Sequence, residues 1–149
     1  MVFFGLMTNR RNIFTDIKKV YMGSHPGRQV VAQHNNDMNA VADNYKEAKV
    51  CLIVHAFSSK SAGEIHRLSE FAPFGCIPVM EKWGDEFGVD RYESCSGAVF
   101  VNDRYNIMQT AADVVTDIDQ GLYIGRERDI VNWWKTGIHW DDLLTTVML

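Results

Sequence analysis

Three charged residues, Glu64, Arg67 and Glu70, recur at helical spacing within the segment 61–74. Residues three or four positions apart lie on the same side of a helix, so this row brings two carboxylates and one guanidinium together. Carboxylates accept hydrogen bonds from hydroxyl groups, and a guanidinium binds anions in a planar, bidentate geometry. A charged row of this kind at the mouth of an α/β sheet could hold a polar ligand.

Structural roles compete with ligand binding at both glutamates. Glu64 closes the pattern S-A-G-E at 61–64, a capping box in which the carboxylate returns to the N-cap amide of the helix. Glu70 lies near the C-terminal end of the predicted helix, where the helix dipole disfavours a carboxylate. An ion pair with Arg67 would offset this by only about a few tenths of a kcal/mol. The sequence therefore favours a binding role for Glu70 and leaves both roles open for Glu64.

The elements that must position this row alternate between strand and helix. The clearest strand is 49–57, whose continuous apolar centre is typical of a parallel strand covered on both faces. Apolar residues at three- and four-residue spacing predict helices between the strands. The predicted strands are 2–7, 28–34, 49–57, 76–80 and 98–101, and the predicted helices follow residues 8–9 and 35–37 and occupy 61–74 and 105–119.

Local signals mark several boundaries of these elements. Residues 35–37 are predicted to cap the helix that follows them, and Gly75 to end the helix 61–74. The segment 23–27 is a loop by composition, and the strand 76–80 leads into the carboxylate of Glu81. About five strand–helix alternations predict an α/β fold, namely a Rossmann-like parallel sheet with helices on both faces in three α/β/α layers.

Ligands bind such sheets at the carboxyl ends of the strands. Arg10 and Arg11 follow the first strand at a helix start, where backbone N–H groups attract anions and arginine adds bidentate phosphate recognition. A solvated helix start is the alternative for both. Gly5 could admit a ligand close to the backbone or could weaken a strand end. His55 could contact a ligand or serve as a structural residue.

Composition excludes several classes of function. The 149 residues suit one domain, 1–149, with 120–149 as its helical C-terminal extension. A net charge of -4 argues against a nucleic-acid partner. The three cysteines lack metal-ligand spacing, so we expect reduced thiols, no metal ion and a cytoplasmic location. No apolar run suits a transmembrane segment, and the apolar N-terminus is interpreted as a strand and not as a signal peptide.

Three stretches carry a resemblance to a known family. They are F-F-G at 3–5 with N-R-R at 9–11, A-K-V-C-L-I-V-H at 48–55, and E-I-H-R-L-S-E at 64–70 with G-C at 75–76 and a glutamate at 81. In order and spacing they resemble the C-terminal half of two-domain, GT-B-type glycosyltransferases. The chain departs from the family pattern at Ile53, where Asn is common, at Phe71, where a small residue is usual, and at Ala62, where many relatives have glutamate.

In that family this half of the enzyme binds the nucleotide-sugar donor. The resemblance implies that Glu70 contacts the donor ribose, that Arg10, Arg11 and Arg67 lie near the diphosphate, and that Glu64 lies near the sugar or its support. Such cations can neutralise a leaving diphosphate without a metal ion. The predicted substrate-binding residues are Gly5, Asn9, Arg10, Arg11, His55, Glu64, Arg67 and Glu70.

The leading hypothesis is a donor-binding domain that binds a nucleotide-diphosphate sugar for glycosyl transfer, without a further cofactor. The acceptor-binding half, which usually supplies the catalytic base, has no counterpart in these residues. We therefore assign no catalytic residue and expect transfer to need an acceptor-binding domain, a second subunit or a homo-oligomer. One alternative is a non-catalytic interaction domain of the same fold. Another is a flavodoxin-like regulatory module, which would need an acidic cluster at the strand ends, and only residues 85–86 offer one.

Overall fold

The computed structural model of the chain describes residues 1–4, 22–24, 26–27, 31–33, 37–54, 70, 72–82 and 97–137. Within them, five short strands form one sheet in which every neighbouring pair is parallel. The strands are β1 (Val2–Phe4), β2 (Val31–Gln33), β3 (Val50–Ile53), β4 (Ile77–Glu81) and β5 (Val99–Val101). The prediction of an α/β fold built on a parallel sheet is confirmed.

Three longer helices and two short 3₁₀ turns accompany the sheet in the described part of the chain. The helices are α1 (Met38–Glu47), α2 (Ile107–Asp119) and α3 (Arg126–Gly137), and the turns are Ala72–Phe74 and Arg104–Asn106. Among the residues that the structure describes, no helix combines the length and the apolar character that a membrane crossing requires.

Alternate residues of β3 enter two different hydrophobic clusters. Val50 and Leu52 belong to a cluster that includes the buried side of α2, whereas Cys51 and Ile53 belong to one that includes α1. Because successive side chains of a strand point in opposite directions, α1 and α2 lie against opposite faces of the sheet. All four residues of β3 are buried, which explains why its sequence is apolar throughout.

The strands lie in the order β2-β1-β3-β4-β5. The chain passes from β1 to β2 on one side, crosses to β3 on the other side of β1, and continues outward through β4 and β5. The direction therefore reverses between β1 and β3, which are neighbours through Val2 and Cys51. In parallel α/β sheets a crevice opens outside the carboxyl ends of the strands at such a reversal.

Side-chain hydrogen bonds fix both ends of α1. At its start, the Asp37 carboxylate accepts hydrogen bonds from two N–H groups of the first turn, at 3.0 and 3.3 Å, as predicted for the segment 35–37. At its end, the buried Cys76 thiol donates to the carbonyl oxygens of Tyr45, at 3.0 Å, and Ala48, at 3.3 Å. Cys76 thus connects the end of α1 to the start of β4.

Helix α3 covers the sheet edge at which β4 and β5 begin. A Cβ added to Gly75, just before β4, would lie 3.1 Å from the Cβ of Glu127, and one added to Gly97, just before β5, would lie 2.2 Å from the Cγ1 of Ile130. Gly75 also has a φ of 74°, which glycine adopts without steric cost, and it follows the 3₁₀ turn Ala72–Phe74. Most of the helix 61–74 that it is predicted to end lies outside the described residues. The missing side chains at these two positions let α3 approach closely.

Three predicted boundaries differ from the structure. Residues 22–24 are helical, so the predicted loop 23–27 is wrong at its first two positions, because composition does not locate a helix end to the residue. The predicted helix 105–119 begins as a 3₁₀ turn, because the Asp103 carboxylate accepts a hydrogen bond from the Tyr105 N–H at 3.0 Å. The predicted strand 76–80 lies one residue later, so that Glu81 is its last member.

Candidate functional site

The carboxyl ends of the strands form the edge where a parallel sheet binds ligands, and we call it the carboxyl edge. Here β3 leads into Val54, which is fully buried, and β4 ends at Glu81 with the exposed Lys82 after it. The strand β5 is followed by the exposed residues Asn102 and Asp103. Of the described residues that end or directly follow β3, β4 and β5, the polar ones belong to β4 and β5, while the described end of β3 is apolar.

Glu81 is the one buried charged side chain in the described part of the chain, with 6% of its surface exposed. It alternates with Ile77 and Val79, which belong to the cluster that contains α2, and it therefore lies on the α2 side of the sheet. The backbone is fixed on both sides of it, because Glu81 pairs with Val101 and the Lys82 N–H donates to the Val101 carbonyl at 2.7 Å. The backbone at Glu81 is consequently held in a defined place.

Helix α2 begins at the same edge, directly after the 3₁₀ turn. The turn and the helix are continuous, because the Ile107 N–H donates to the Arg104 carbonyl and the Asp103 carboxylate caps the start of the turn through the Tyr105 N–H. The positive end of the helix dipole favours negative charge in this region. The Asp103 carboxylate supplies that negative charge at the start of the turn.

Arg104 and Tyr105 form an aromatic and cationic pair in the turn before α2. The Arg104 guanidinium lies 4.7 Å from the Tyr105 ring centroid, and its Nη2 donates to the tyrosine hydroxyl at 3.0 Å. The Tyr105 side chain is 60% exposed. The buried Nε of Arg104 finds no hydrogen-bond acceptor within the described residues. The pair presents a flat ring and a guanidinium to solvent.

Glu70 is the one predicted substrate-binding residue that the structure describes. Its Oε2 accepts a long hydrogen bond of 3.5 Å from the hydroxyl of the buried Tyr45 in α1. The Tyr45 ring also stacks on Phe74 at 6.0 Å between centroids, and its carbonyl accepts from the Cys76 thiol. All these contacts fall on the segment that leads into the start of β4. Glu70 therefore has a structural partner in addition to any role toward a ligand.

The other seven predicted substrate-binding residues lie outside the described residues. Their arrangement in space therefore stays a prediction from the sequence. They are Gly5, Asn9, Arg10, Arg11, His55, Glu64 and Arg67.

The two described cysteines are structural. Cys51 and Cys76 are buried and free, as expected from their positions in apolar runs. Burial raises the pKa of the Cys76 thiol to about 12, so this sulfur stays protonated and unreactive at neutral pH. Within the described residues no three His, Cys, Asp or Glu side chains come together as a set of metal ligands.

The sequence marked Glu81 as the carboxylate at the end of a strand and as part of the third stretch that resembles the GT-B family, but it assigned Glu81 no ligand. The sequence feature that points to Glu81 is an acidic residue directly after an apolar run, in I-P-V-M-E at 77–81. The strand of Glu81 pairs with β5 and contributes Ile77 and Val79 to the cluster that contains α2, and both elements lie later in the chain. No local pattern could therefore distinguish Glu81 from an exposed carboxylate at a strand end.

We compared the chain with protein-family models, with curated proteins and with solved structures. No family model matches it, and neither a curated protein nor a solved structure gives a significant match. The resemblance to GT-B glycosyltransferases therefore rests on the sequence motifs alone, and the function must be argued from those motifs together with the fold.

Proposed function

We propose that this chain is a Rossmann-like, three-layer α/β/α domain that binds a nucleotide-diphosphate sugar, as the donor-binding half of a GT-B-type glycosyltransferase does. Glycosyl transfer would then require an acceptor-binding domain or a second subunit. One observation carries the proposal: the strand order reverses between β1 and β3, and the motifs that resemble the donor site follow those two strands.

The positions of the predicted substrate-binding residues along the chain support the proposed donor site. Gly5 directly follows the last residue of β1, and His55 follows Val54 at the end of β3. Arg10 and Arg11 come a few residues after Gly5. Because β1 and β3 are neighbours in the sheet, the segments that leave them start from adjacent strand ends. That is where parallel sheets of this class bind phosphate-bearing ligands.

The residue types suit a diphosphate. Arginine side chains form bidentate, charge-assisted hydrogen bonds with phosphate oxygens. They can stabilise the negative charge that develops on a leaving nucleoside diphosphate, which is the role a metal ion has in other transferases.

Calorimetric titration with UDP-glucose, GDP-mannose and ADP-glucose tests the proposal. We expect one of them to bind, and the double variant Arg10→Ala/Arg11→Ala to weaken binding by roughly 10²- to 10⁴-fold, because each lost charged hydrogen bond is worth about 1.5–3 kcal/mol and two are lost. The double variant Lys46→Ala/Arg128→Ala is the control, because it removes two exposed cations from α1 and α3. Absence of binding at millimolar donor would refute the proposal.

The strand order also favours a second candidate, a flavodoxin-like regulatory module. The order β2-β1-β3-β4-β5 is the one such modules use. They carry carboxylates at the ends of their central strands, whereas β3 ends here in Ile53 and Val54, both fully buried. A folded chain that binds no donor, but is modified by a small phosphoryl donor with Mg²⁺, would support this candidate in place of the first.

A further inference from the structure

We draw no further inference here: the strongest candidate, the exposed apolar pair Leu122 and Ile124 in the hydrogen-bonded turn between α2 and α3, carries none because nothing in the structure shows what covers it.

Discussion

Single residues connect the helices to the sheet, and Cys76 is the clearest case. Its thiol donates to two carbonyl groups at the end of α1, where a helix leaves its last acceptors unpaired. Burial raises the pKa of this thiol to about 12, compared with 9.0 for an unperturbed cysteine. The buried Cys76 thiol therefore supplies a hydrogen-bond donor to the carbonyl groups at the end of α1, as a polar capping residue does at an exposed helix end.

The raised pKa predicts a specific dependence of stability on pH. The folded-state pKa exceeds that of the unfolded chain, so the contribution of Cys76 is fully present below pH 9 and is lost as the pH rises from 9 towards about 12. In this window the free energy of unfolding should fall by an extra ~1.4 kcal/mol per pH unit. Urea denaturation of the wild-type chain and of Cys76→Ser, which keeps a donor but does not titrate, measures the difference. Equal slopes would contradict the prediction.

Tyr45 and Glu70 give a second prediction for single residues. The hydrogen bond between them is long, at 3.5 Å, whereas the buried ring contacts Phe74 and the core. We expect Tyr45→Phe to cost at most about 1 kcal/mol of unfolding free energy, and Tyr45→Ala about 3–5 kcal/mol. Chemical denaturation checks both values. If Tyr45→Phe costs as much as Tyr45→Ala, the hydroxyl and not the ring is the stabilising group.

At the scale of elements, the close packing of α3 against the sheet depends on two glycines. Gly75 and Gly97 precede β4 and β5, and the helix lies directly over them through Glu127 and Ile130. Ile130 is completely buried, so it has no free space into which to move. The amino ends of β4 and β5 are therefore covered by a helix that follows them in the chain, while their carboxyl ends lie at the opposite edge of the sheet.

We predict that Gly97→Ala destabilises the fold. The added methyl group would lie 2.2 Å from Ile130 Cγ1 and 3.2 Å from the Arg126 carbonyl oxygen, so α3 must move away. Overpacking of this kind costs about 1–3 kcal/mol. Gly23→Ala is the control, because nothing lies within 4 Å of its Cβ position and the residue is helical; we expect it to be neutral or to stabilise by up to about 1 kcal/mol. Thermal or urea denaturation of both variants measures the change in unfolding free energy. If Gly97→Ala and Gly23→Ala changed it equally, the close contact between Gly97 and Ile130 would not be limiting stability.

At the scale of the whole molecule, the described contacts and the proposed binding site lie at opposite edges of the parallel sheet. Its amino edge carries structural contacts, including α3 and the ion pair between Lys49 at the start of β3 and Asp119 at the end of α2. Its carboxyl edge carries Glu81, the start of α2 and the strand ends that flank the reversal. Substitutions at the first edge should change stability, and those of the predicted substrate-binding residues that follow β1 and β3 should change binding.

Ligand linkage gives a prediction for the whole domain. A donor present at 100 times its dissociation constant should raise the free energy of unfolding by about 2.7 kcal/mol. For a chain of 149 residues this corresponds to an increase in Tm of roughly 5–10 °C. Differential scanning calorimetry with the donor, and with pyrophosphate at equal concentration, measures the effect. An equal shift with pyrophosphate would mean that the chain recognises an anion and not a nucleotide sugar.

The sequence by itself determined the local features of this protein. The cap at Asp37, the buried run of β3 and the apolar stripe of α2 were all predicted, because each depends on residues close together in the chain. Hydrogen-bond capping and side-chain periodicity operate over a few residues. Charge patterns likewise marked both Glu70 and Glu81 as carboxylates near element ends.

Only the tertiary structure decided where those carboxylates lie. Glu81 pairs with Val101 in a strand beside α2 and lies buried at the carboxyl edge, while the Tyr45 hydroxyl binds the other glutamate in the segment before β4. The tertiary structure also decides the strand order, with its reversal between β1 and β3, and the close approach of Ile130 to Gly97. All are contacts between residues far apart in the chain, and their free energy depends on the packed sheet and not on any local pattern.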